Sequence, residues 1–547
     1  MLLIQHMKQK AITINPKDNV AVALVDLPKT ETVTVNNTHC KLIDTVKAKH
    51  KFALKPFSKG ENIIMYGLLV GTTTQSIKKG EILTTNNVKH SSSKVTGKTK
   101  SIKWTEPDIS KWKDRKFLGF KRKDGQVGTQ NIWLFFPLVF CENNNIEILK
   151  DTFEKELGYS KISNYQKLLR SLLLTNKLVK SEGFSQSEAF AKNPLKNIEL
   201  KFITHPGGCG AIRQDAEELS QLLAGYVNNP NVAGATILSL GCQNLQIELF
   251  KNAVKKINPD FNKPLLIYEQ QQIGSTKKML DQAIKESITE IFKEDKQERK
   301  PESLSNLNIG LECGGSDGFS GISANPVLGY VSDMMVALEA SVVLSEFPEL
   351  SGVEQDIVNR CVKPKDAKQF LELMKQFEEK VIAAGSGFDM NPSPGNIKDG
   401  LITDAMKSAG AAKKAGSSPI VAVLDYGEYI TKKGLSLLCT PGNDVESTTI
   451  MAGAGANIIL FTTGLGTPTG NPVTPVIKIA SNTELSIKMS DIIDIDAGAL
   501  VKGEKSIAEL AEELMEIIIN VASGKIKTKA TINKQNDFIP WRRGVSL

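Results

Sequence analysis

The sequence predicts an α/β protein in which a small all-β unit precedes a large region of mainly parallel sheets. About the first 90 residues consist of short segments that alternate apolar and polar residues between turn residues, as half-buried strands do. From about residue 118 onward, apolar strand-like runs alternate with amphipathic helical ones, the pattern of parallel α/β architecture. Several of these runs end in glycine and polar residues, as strands do where α/β proteins bind ligands.

Four short segments define the all-β unit, which we place at residues 1–90: VAVALVDL, ETVTVNN, NIIMYGLLVG and KKGEIL. Residues 91–117 are charged and polar, the composition of a linker. We expect a central α/β catalytic domain over residues 118–390 and a C-terminal α/β domain over residues 391–547. The glycine- and proline-rich stretch AAGSGFDMNPSPGN suggests the boundary between them.

Nine apolar runs are the predicted strands of the large region. They are WLFFPLVFC, IELKFITH, GATILSLGC, PLLIYEQ, NIGLECGG, SVVLSEFPE, PIVAVLDY, LSLLCTPGN and NIILFTTG. Each is followed by loop or helix signals, so the strands are expected to be joined by crossover helices.

Length, charge and cysteine usage limit the class of protein. A chain of 547 residues exceeds what one core usually supports. Its net charge of +8 comes from 68 basic and 60 acidic residues, and the lysines are scattered, so we expect no nucleic-acid partner. The sequence contains no signal-peptide pattern and no apolar run long enough to span a bilayer. The seven cysteines include no C-x-x-C pair, which favours reduced thiols and a cytoplasmic protein without membrane partners.

The segment GLECGGSDGFSGISANP, residues 310–326, is the strongest candidate site in the chain. Glycine, serine and asparagine surround one thiol, Cys313, and two carboxylates, Glu312 and Asp317, directly after an apolar run. Glycine lets a backbone approach a ligand closely. Cys209 and Cys242 occupy similar positions, each where an apolar run turns into glycine or polar residues, whereas a core cysteine usually lies inside such a run.

Familiar cofactor motifs are missing, so we predict neither NAD nor ATP. GLGTPTGNP at 464–472 has neither dinucleotide-fold nor P-loop spacing. The polar strand ends supply hydroxyls, amides, carboxylates and thiols, a set that suits a small polyhydroxylated ligand with a metal ion.

Several motifs resemble the altronate and galactarate dehydratase family. They include GFKRKDGQVGTQN at 119–131, LECGGSDGFSGISANP, NPSPGN and GLSLLCTPGNDVEST, and HKFAL and MYGLLVG are similar to the family's N-terminal SAF-type domain. The resemblance covers essentially the whole chain. It implies a hydro-lyase of hexuronate breakdown that converts D-altronate into 2-dehydro-3-deoxy-D-gluconate and depends on Fe²⁺ or Mn²⁺.

Dehydration of a 2,3-dihydroxy acid needs a base for the C2 proton, a cation for the developing enediolate and an acid for the leaving hydroxyl. Among the five histidines, His50 and His205 match family histidines, and with Asp317 they are the predicted catalytic groups. His6 and His39 are expected at the surface.

The predicted metal ligands are Cys209, Cys242, Glu312 and Cys313, with Asp317, Asp444 and Glu446 as competing hard ligands. Two interpretations stay open. In one, a single Fe²⁺ or Mn²⁺ is bound by histidine and carboxylate groups; in the other, the three thiols hold an iron–sulfur cluster. The predicted substrate contacts are Ser316, Asn391, Ser393, Asn396, Asn443, Asp444, Thr463 and Thr467.

The chain also departs from the family pattern. Asn15, Thr84 and Asn86 stand where many members have histidine, and His90 could substitute for them. Galactarate dehydratase, a sulfo-lyase and a non-catalytic sugar-acid sensor therefore remain alternatives to altronate dehydratase, and a homo-oligomer is expected in each case.

Overall fold

The computed structural model describes residues 9–158, 163–175, 193–210 and 212–544. The N-terminal domain is built from short strands paired into three small antiparallel sheets, with orders β1-β2-β5, β3-β4 and β6-β7-β8. These strands are β1 (Ala11–Ile12), β2 (Val20–Ala23), β3 (Thr32–Val35), β4 (Thr38–Lys41), β5 (Lys51–Ala53), β6 (Asn62–Met65), β7 (Leu68–Thr73) and β8 (Val88–Lys89). In β3 the valines are buried and the threonines exposed, which is the alternation that predicted the unit.

A small antiparallel sheet and a four-stranded parallel sheet follow. The antiparallel sheet has the order β10-β9-β15, and the parallel sheet has the order β12-β11-β13-β14. Their strands are β9 (Lys116–Lys121), β10 (Val127–Gly128), β11 (Ile132–Pro137), β12 (Glu199–Phe202), β13 (Val232–Ser239), β14 (Leu265–Glu269) and β15 (Lys300–Ser303). Every residue of β13 is buried, because helices cover both faces of the sheet.

A seven-stranded, all-parallel sheet forms the largest layer, in the order β18-β19-β17-β16-β20-β21-β22. Its strands are β16 (Asn308–Cys313), β17 (Ser341–Leu344), β18 (Ile420–Leu424), β19 (Gly434–Leu438), β20 (Ile458–Thr463), β21 (Val476–Ala480) and β22 (Ile495–Asp496). These strands come from both sides of residue 390, where a domain boundary was predicted. All nine predicted runs contain a strand of a parallel sheet, which confirms the α/β fold class.

Helices in the described residues connect or flank the strands, and several of them pack on the faces of the parallel sheets. They are α1 (Asn143–Glu156), α2 (Asn164–Thr175), α3 (Arg213–Asn228), α4 (Ile247–Ile257), α5 (Gln270–Ile273), α6 (Thr276–Glu294), α7 (Ala324–Ala337), α8 (Glu354–Arg360), α9 (Pro364–Ala383), α10 (Pro394–Lys398), α11 (Asp404–Ala411), α12 (Asp444–Gly453), α13 (Thr483–Lys488), α14 (Gly498–Val501), α15 (Ile507–Ala522) and α16 (Lys529–Ile532). None of the described helices is both long and apolar enough to cross a bilayer.

The two parallel sheets meet through α3 and α12. These helices approach so closely that a Cβ on Gly225 would lie 1.9 Å from the carbonyl oxygen of Gly453. Glycine at this position therefore allows one apolar cluster to contain residues of both sheets and both helices. The carboxyl ends of each sheet's strands carry the polar loops that sequence analysis singled out.

Candidate active site

Buried carboxylates and lysines crowd the carboxyl edge of the seven-stranded sheet. We call this group the acid–lysine cluster. Its members come from the end of β16, the segment after β17 with its short 3-10 helix, helix α11 and the 3-10 helix that follows α11: Glu312, Cys313, Glu346, Glu349, Lys407 and Lys414. All six side chains are buried, so charge–charge interactions among them are weakly screened.

Glu346 has an unusual backbone and an unused oxygen. Its φ is +64°, a left-handed conformation that is uncommon outside glycine and is often found at functional sites. Its Oε2 accepts hydrogen bonds from the Cys313 backbone N–H at 3.0 Å and from the Lys414 ammonium at 2.5 Å. Its Oε1 has no partner within the described part of the chain. Burial, followed by the charge of Glu349, raises the pKa of Glu346 to about 7, which is suitable for a group that exchanges protons at neutral pH.

Glu349 is held ionised by lysine. Its Oε1 lies 2.7 Å from Lys407 Nζ, and its Oε2 accepts from the Cys313 thiol at 3.1 Å. Burial favours the neutral acid, but Lys407 and Lys414 outweigh it and lower the pKa of Glu349. Burial and the Glu349 charge together raise the pKa of Cys313 well above that of an ordinary thiol. Cys313 is therefore a neutral hydrogen-bond donor at neutral pH.

Glu312 is fully buried in the cluster. Its Oε2 accepts from the hydroxyls of Ser345 at 3.0 Å and Ser447 at 2.6 Å, while its Oε1 has no partner among the described residues. Burial and the neighbouring Glu346 raise the pKa of Glu312 well above its usual range, which favours its protonated form. The two lysines then balance Glu346 and Glu349.

The acid–lysine cluster contains a possible donor set for a metal ion. Ligand atoms of Cys313, Glu346 and Glu349 all lie within 4.8 Å of one another, and sulfur with two carboxylates is chemically acceptable to Fe²⁺. However, the Lys414 ammonium contacts Glu346 at 2.5 Å and lies 3.9 Å from Glu349, whose other oxygen binds Lys407. Because ammonium groups already neutralise both carboxylates, the cluster as arranged does not fit a divalent ion.

Asp317, a predicted catalytic residue, lies at the same sheet edge but has all its oxygens engaged. Its carboxylate accepts from Ser481 Oγ at 2.7 Å, Ser320 Oγ at 3.0 Å and Lys49 Nζ at 3.0 Å. Lys49 belongs to the N-terminal domain and also binds Asp399 at 3.1 Å. Asp317 thus fixes the N-terminal domain against the sheet, and its catalytic role stays a prediction.

Two glycines permit this docking. A Cβ on Gly318 or on Gly400 would lie 2.4 Å from the carbonyl oxygen of Lys49, so a larger residue at either position would push the N-terminal domain away. Next to Lys49, the Lys51 ammonium donates to the Gly400 carbonyl at 2.7 Å, and burial lowers its pKa to about 7.

His50 lies between these two lysines in sequence. Its Nδ1 donates to the Ala48 carbonyl at 3.2 Å, and the ring is half-buried. Burial lowers its pKa, which makes the neutral, proton-accepting form more abundant. The structure therefore places His50 at the junction of the N-terminal domain with the 399–400 turn, and its acid–base role stays a prediction.

The predicted substrate contacts Asn391, Ser393 and Asn396 lie next to the acid–lysine cluster. Asn391 accepts from the Lys407 ammonium. Ser393 and Asn396 form a reciprocal capping box at the start of α10, and Asn396 donates to the carbonyl of Ser316 at 2.6 Å. Ser316 in turn donates to the Cys313 sulfur at 3.5 Å.

Predicted contacts in residues 441–444 and 463–467 lie nearby. A Cβ on Gly442 would be 4.0 Å from both Asn391 and Glu349. The exposed Asn443 caps α12 through Val445 and Glu446. Asp444 bonds Thr467, and burial followed by Glu349 raises its pKa to about 6. Thr463 Oγ1 accepts from the Gly466 N–H at 2.9 Å. The predicted substrate contacts are therefore brought together near the acid–lysine cluster, and their binding roles stay predictions.

Three predicted residues lie elsewhere, at the carboxyl edge of the four-stranded sheet. They are His205, Cys209 and Cys242. The His205 ring is fully committed to the backbone, because Nε2 donates to the Pro137 carbonyl at 2.7 Å and Nδ1 accepts from the Gly207 N–H at 3.2 Å. Burial lowers its pKa to about 4. The structure thus does not bring Cys313 together with Cys209 and Cys242, and it leaves His205 no ring nitrogen for a substrate.

Sequence reasoning missed the charged residues that dominate this site. Glu346 and Glu349 lie in SEFPE, a strand end noted for its polarity, but neither residue was selected. Lys407 and Lys414 occupy ordinary lysine positions in and after a helix, where a solvent-exposed side chain is the usual expectation. A lysine in a segment otherwise rich in alanine, glycine and serine was the available signal.

The fold and the site define a multidomain α/β protein in which a small β domain docks beside a buried acid–base centre. Family models match in order along the chain: the altronate/galactarate dehydratase SAF domain at residues 9–91, the D-galactarate dehydratase/altronate hydrolase second domain at 119–294, and the D-galactarate/altronate dehydratase C-terminal domain at 304–546. The chain belongs to the altronate and galactarate dehydratase family.

Curated relatives match nearly from end to end. The chain is 35% identical to an altronate dehydratase of Escherichia coli (strain K12) and 34% identical to one of Bacillus subtilis (strain 168), each match covering 98% of this chain and 99% of the relative. A galactarate dehydratase (L-threo-forming) of Escherichia coli is 29% identical over 94% of this chain and 93% of that protein.

Proposed function

We propose that this protein is a hydro-lyase that removes water from D-altronate to give 2-dehydro-3-deoxy-D-gluconate in hexuronate catabolism. Greater identity to the two altronate dehydratases than to the galactarate dehydratase supports this substrate. The observation that supports this chemistry concerns Glu346. One of its carboxylate oxygens has no partner among the described residues, its pKa is about 7, and it lies beside the buried ammonium group of Lys414.

In this proposal Glu346 accepts the C2 proton of the substrate. The electron pair of the C2–H bond forms the C2–C3 double bond as the C3–oxygen bond breaks, and Asp444 donates the proton with which the hydroxyl leaves as water. Lys407 and Lys414 stabilise the negative charge that develops on the substrate carboxylate. The enol product then tautomerises to the 2-keto acid. Proton transfer by such positioned groups typically contributes about 10²–10⁴-fold to the rate.

A small, hydroxyl-rich acid is proposed to enter past the exposed residues next to the cluster. Gly442, Asn443 and Ser393 are exposed, whereas the carboxylates and lysines beneath them are buried. Asn391, Asn443 and Thr467 are the proposed contacts to substrate hydroxyls. Since the donors of the acid–lysine cluster do not fit a divalent ion as arranged, none of these steps passes through Fe²⁺ or Mn²⁺.

An anaerobic assay of 2-keto-3-deoxy acid formation tests the proposal. D-altronate, D-galactarate and D-mannonate are compared, with Fe²⁺, with Mn²⁺ and with chelator. We expect turnover of D-altronate, and loss of about 10²-fold or more in kcat for Asp444→Asn; Asp491→Asn, an exposed site, is the matched control.

Turnover of D-galactarate alone would show that D-galactarate, not D-altronate, is the substrate. Failure of the folded protein to turn over any of the three acids would reject the dehydratase and favour a sulfo-lyase or a sugar-acid sensor. Cytoplasmic location and homo-oligomeric assembly stay predictions; size-exclusion chromatography with light scattering tests the second.

A further inference from the structure

We propose that three thiols at the carboxyl edge of the four-stranded sheet hold an iron–sulfur cluster. The thiols belong to Cys141, Cys209 and Cys242, which we call the thiol edge. Cys141 follows β11, Cys209 follows β12 and Cys242 follows β13. Because β11 is the central neighbour of both β12 and β13, the three cysteines emerge side by side from one edge of a parallel sheet.

Hydrogen bonds join the three cysteine loops to one another. The Phe140 N–H, next to Cys141, donates to the Gly207 carbonyl at 3.0 Å, and the Leu245 N–H donates to the Gly208 carbonyl, next to Cys209, at 3.1 Å. A Cβ on Gly208 would lie 2.1 Å from the Leu138 carbonyl oxygen, so the loops touch where glycine allows it. His205, whose two ring nitrogens bind the backbone, fixes the loop that carries Cys209. The three cysteine loops of the thiol edge are therefore held in a defined arrangement by hydrogen bonds and close backbone packing.

The three sulfur atoms are not close enough for one ion. In the described chain they do not form a group of ligand atoms all within 4.8 Å, as those of Cys313, Glu346 and Glu349 do. Thiolates bound to one tetrahedral ion at about 2.3 Å lie about 3.8 Å apart. Wider spacing favours a polynuclear iron–sulfur cluster, whose thiolates bind different irons.

Accessibility separates these three cysteines from the other four. Cys141 and Cys242 are exposed and Cys209 is partly exposed, whereas Cys40, Cys313, Cys361 and Cys439 are buried. The Gln271 amide donates to the Cys242 sulfur at 3.3 Å, the kind of contact that tunes cluster sulfur ligands. A cavity of about 90 Å³ lies beside Cys209 and is lined also by Asn244 and Trp541.

The test is anaerobic reconstitution of the full chain with Fe²⁺, sulfide and a thiol reductant, followed by desalting. We expect about four iron and four acid-labile sulfide atoms per chain and a broad absorption band near about 400 nm. Cys141→Ser, Cys209→Ser and Cys242→Ser should each lose most of the band and the bound iron. Cys361→Ser, which alters a buried thiol elsewhere, is the matched control and should keep both.

Cluster content is measured without substrate, so its outcome is distinct from that of the altronate assay. Iron without sulfide would overturn the cluster in favour of a single ion, and retention of the cluster in all three variants would place it elsewhere. Circular dichroism verifies that each variant folds. If a variant does not fold, mass spectrometry of the wild-type protein after treatment with iodoacetamide replaces it. Protection of the three thiols in the reconstituted protein would support the cluster at the thiol edge, and alkylation of all three would overturn it.

Discussion

The two parallel sheets use the same topological position for opposite kinds of chemistry. At the edge of the seven-stranded sheet, Glu346 and Glu349 are buried with Lys407 and Lys414 as compensating charges. At the edge of the four-stranded sheet, no ion pair between described residues involves the thiol edge, and its sulfurs are wholly or partly accessible. The carboxyl end of a parallel strand thus supplies a location, while burial and partners decide what a side chain can do there.

The two sheet edges also show that burial affects the charge of a histidine and of a lysine differently. In the four-stranded sheet, burial without a charge partner keeps His205 neutral and makes it a fixed hydrogen-bonding group. In the acid–lysine cluster, equally deep burial is outweighed by the neighbouring acidic groups, which together raise the pKa of Lys414 well above its usual range. Depth of burial alone therefore does not predict the charge of a group.

The largest expected effect concerns proton transfer in the acid–lysine cluster. Glu346→Gln preserves shape but removes the group proposed to accept the C2 proton, so kcat for D-altronate should fall by about 10²–10⁴-fold. Glu379→Gln, on the exposed face of α9, is the matched control and should leave kcat unchanged. A Glu346→Gln protein that folds normally and keeps wild-type kcat would remove Glu346 from the mechanism.

The second prediction concerns acid stability and His205. Between pH 6.5 and about 4, the unfolded chain protonates this histidine while the folded protein excludes the proton, so the free energy of unfolding falls as pH falls. The contribution is about 3 kcal/mol across that window. His205→Gln should flatten the fall in urea-unfolding free energy, while the exposed His39→Gln should not. Equal slopes for both variants and wild type would show that His205 titrates normally.

The smallest effect compares one helix cap from each region. Thr403 caps α11, which carries Lys407, and also donates to the Val70 carbonyl at 2.7 Å. Ser275 caps α6 on the four-stranded sheet. Thr403→Ala and Ser275→Ala should each lower the free energy of unfolding by about 1 kcal/mol. Only Thr403→Ala should also reduce kcat/KM for D-altronate, and Thr403→Ser should restore it; an equal loss of activity in the Ser275 variant would contradict the division of roles.

The fold was largely predictable because its strands are long apolar runs with polar ends. All nine such runs are strands, whereas β21 was missed because Lys478 interrupts VIKIA, although that lysine is buried and donates to the Thr469 carbonyl. Hydropathy cannot distinguish a buried, paired lysine from an exposed one.

The site was predictable only where residue type and strand position agreed. Ser316, Asp444 and Thr467 were selected on that ground and lie near the acid–lysine cluster, while their substrate roles stay predictions. The lysines of the acid–lysine cluster did not meet that condition, because their role depends on carboxylates that are distant in sequence. Cys141 was overlooked because WLFFPLVFC resembles the setting of a core cysteine, and only the pairing of β11 with β12 and β13 brings it to Cys209 and Cys242.

The contact of Lys49 with the 399–400 turn also determines the stage of protein synthesis at which the site can form. Lys49 and Asp399 are 350 positions apart, and Lys51 bonds Gly400. The N-terminal domain leaves the ribosome first, yet its docking surface is translated only after most of the chain. A nascent chain that stops before residue 399 has a complete β domain and no docked acid–base centre, so assembly of that centre is a late step in the life of each molecule.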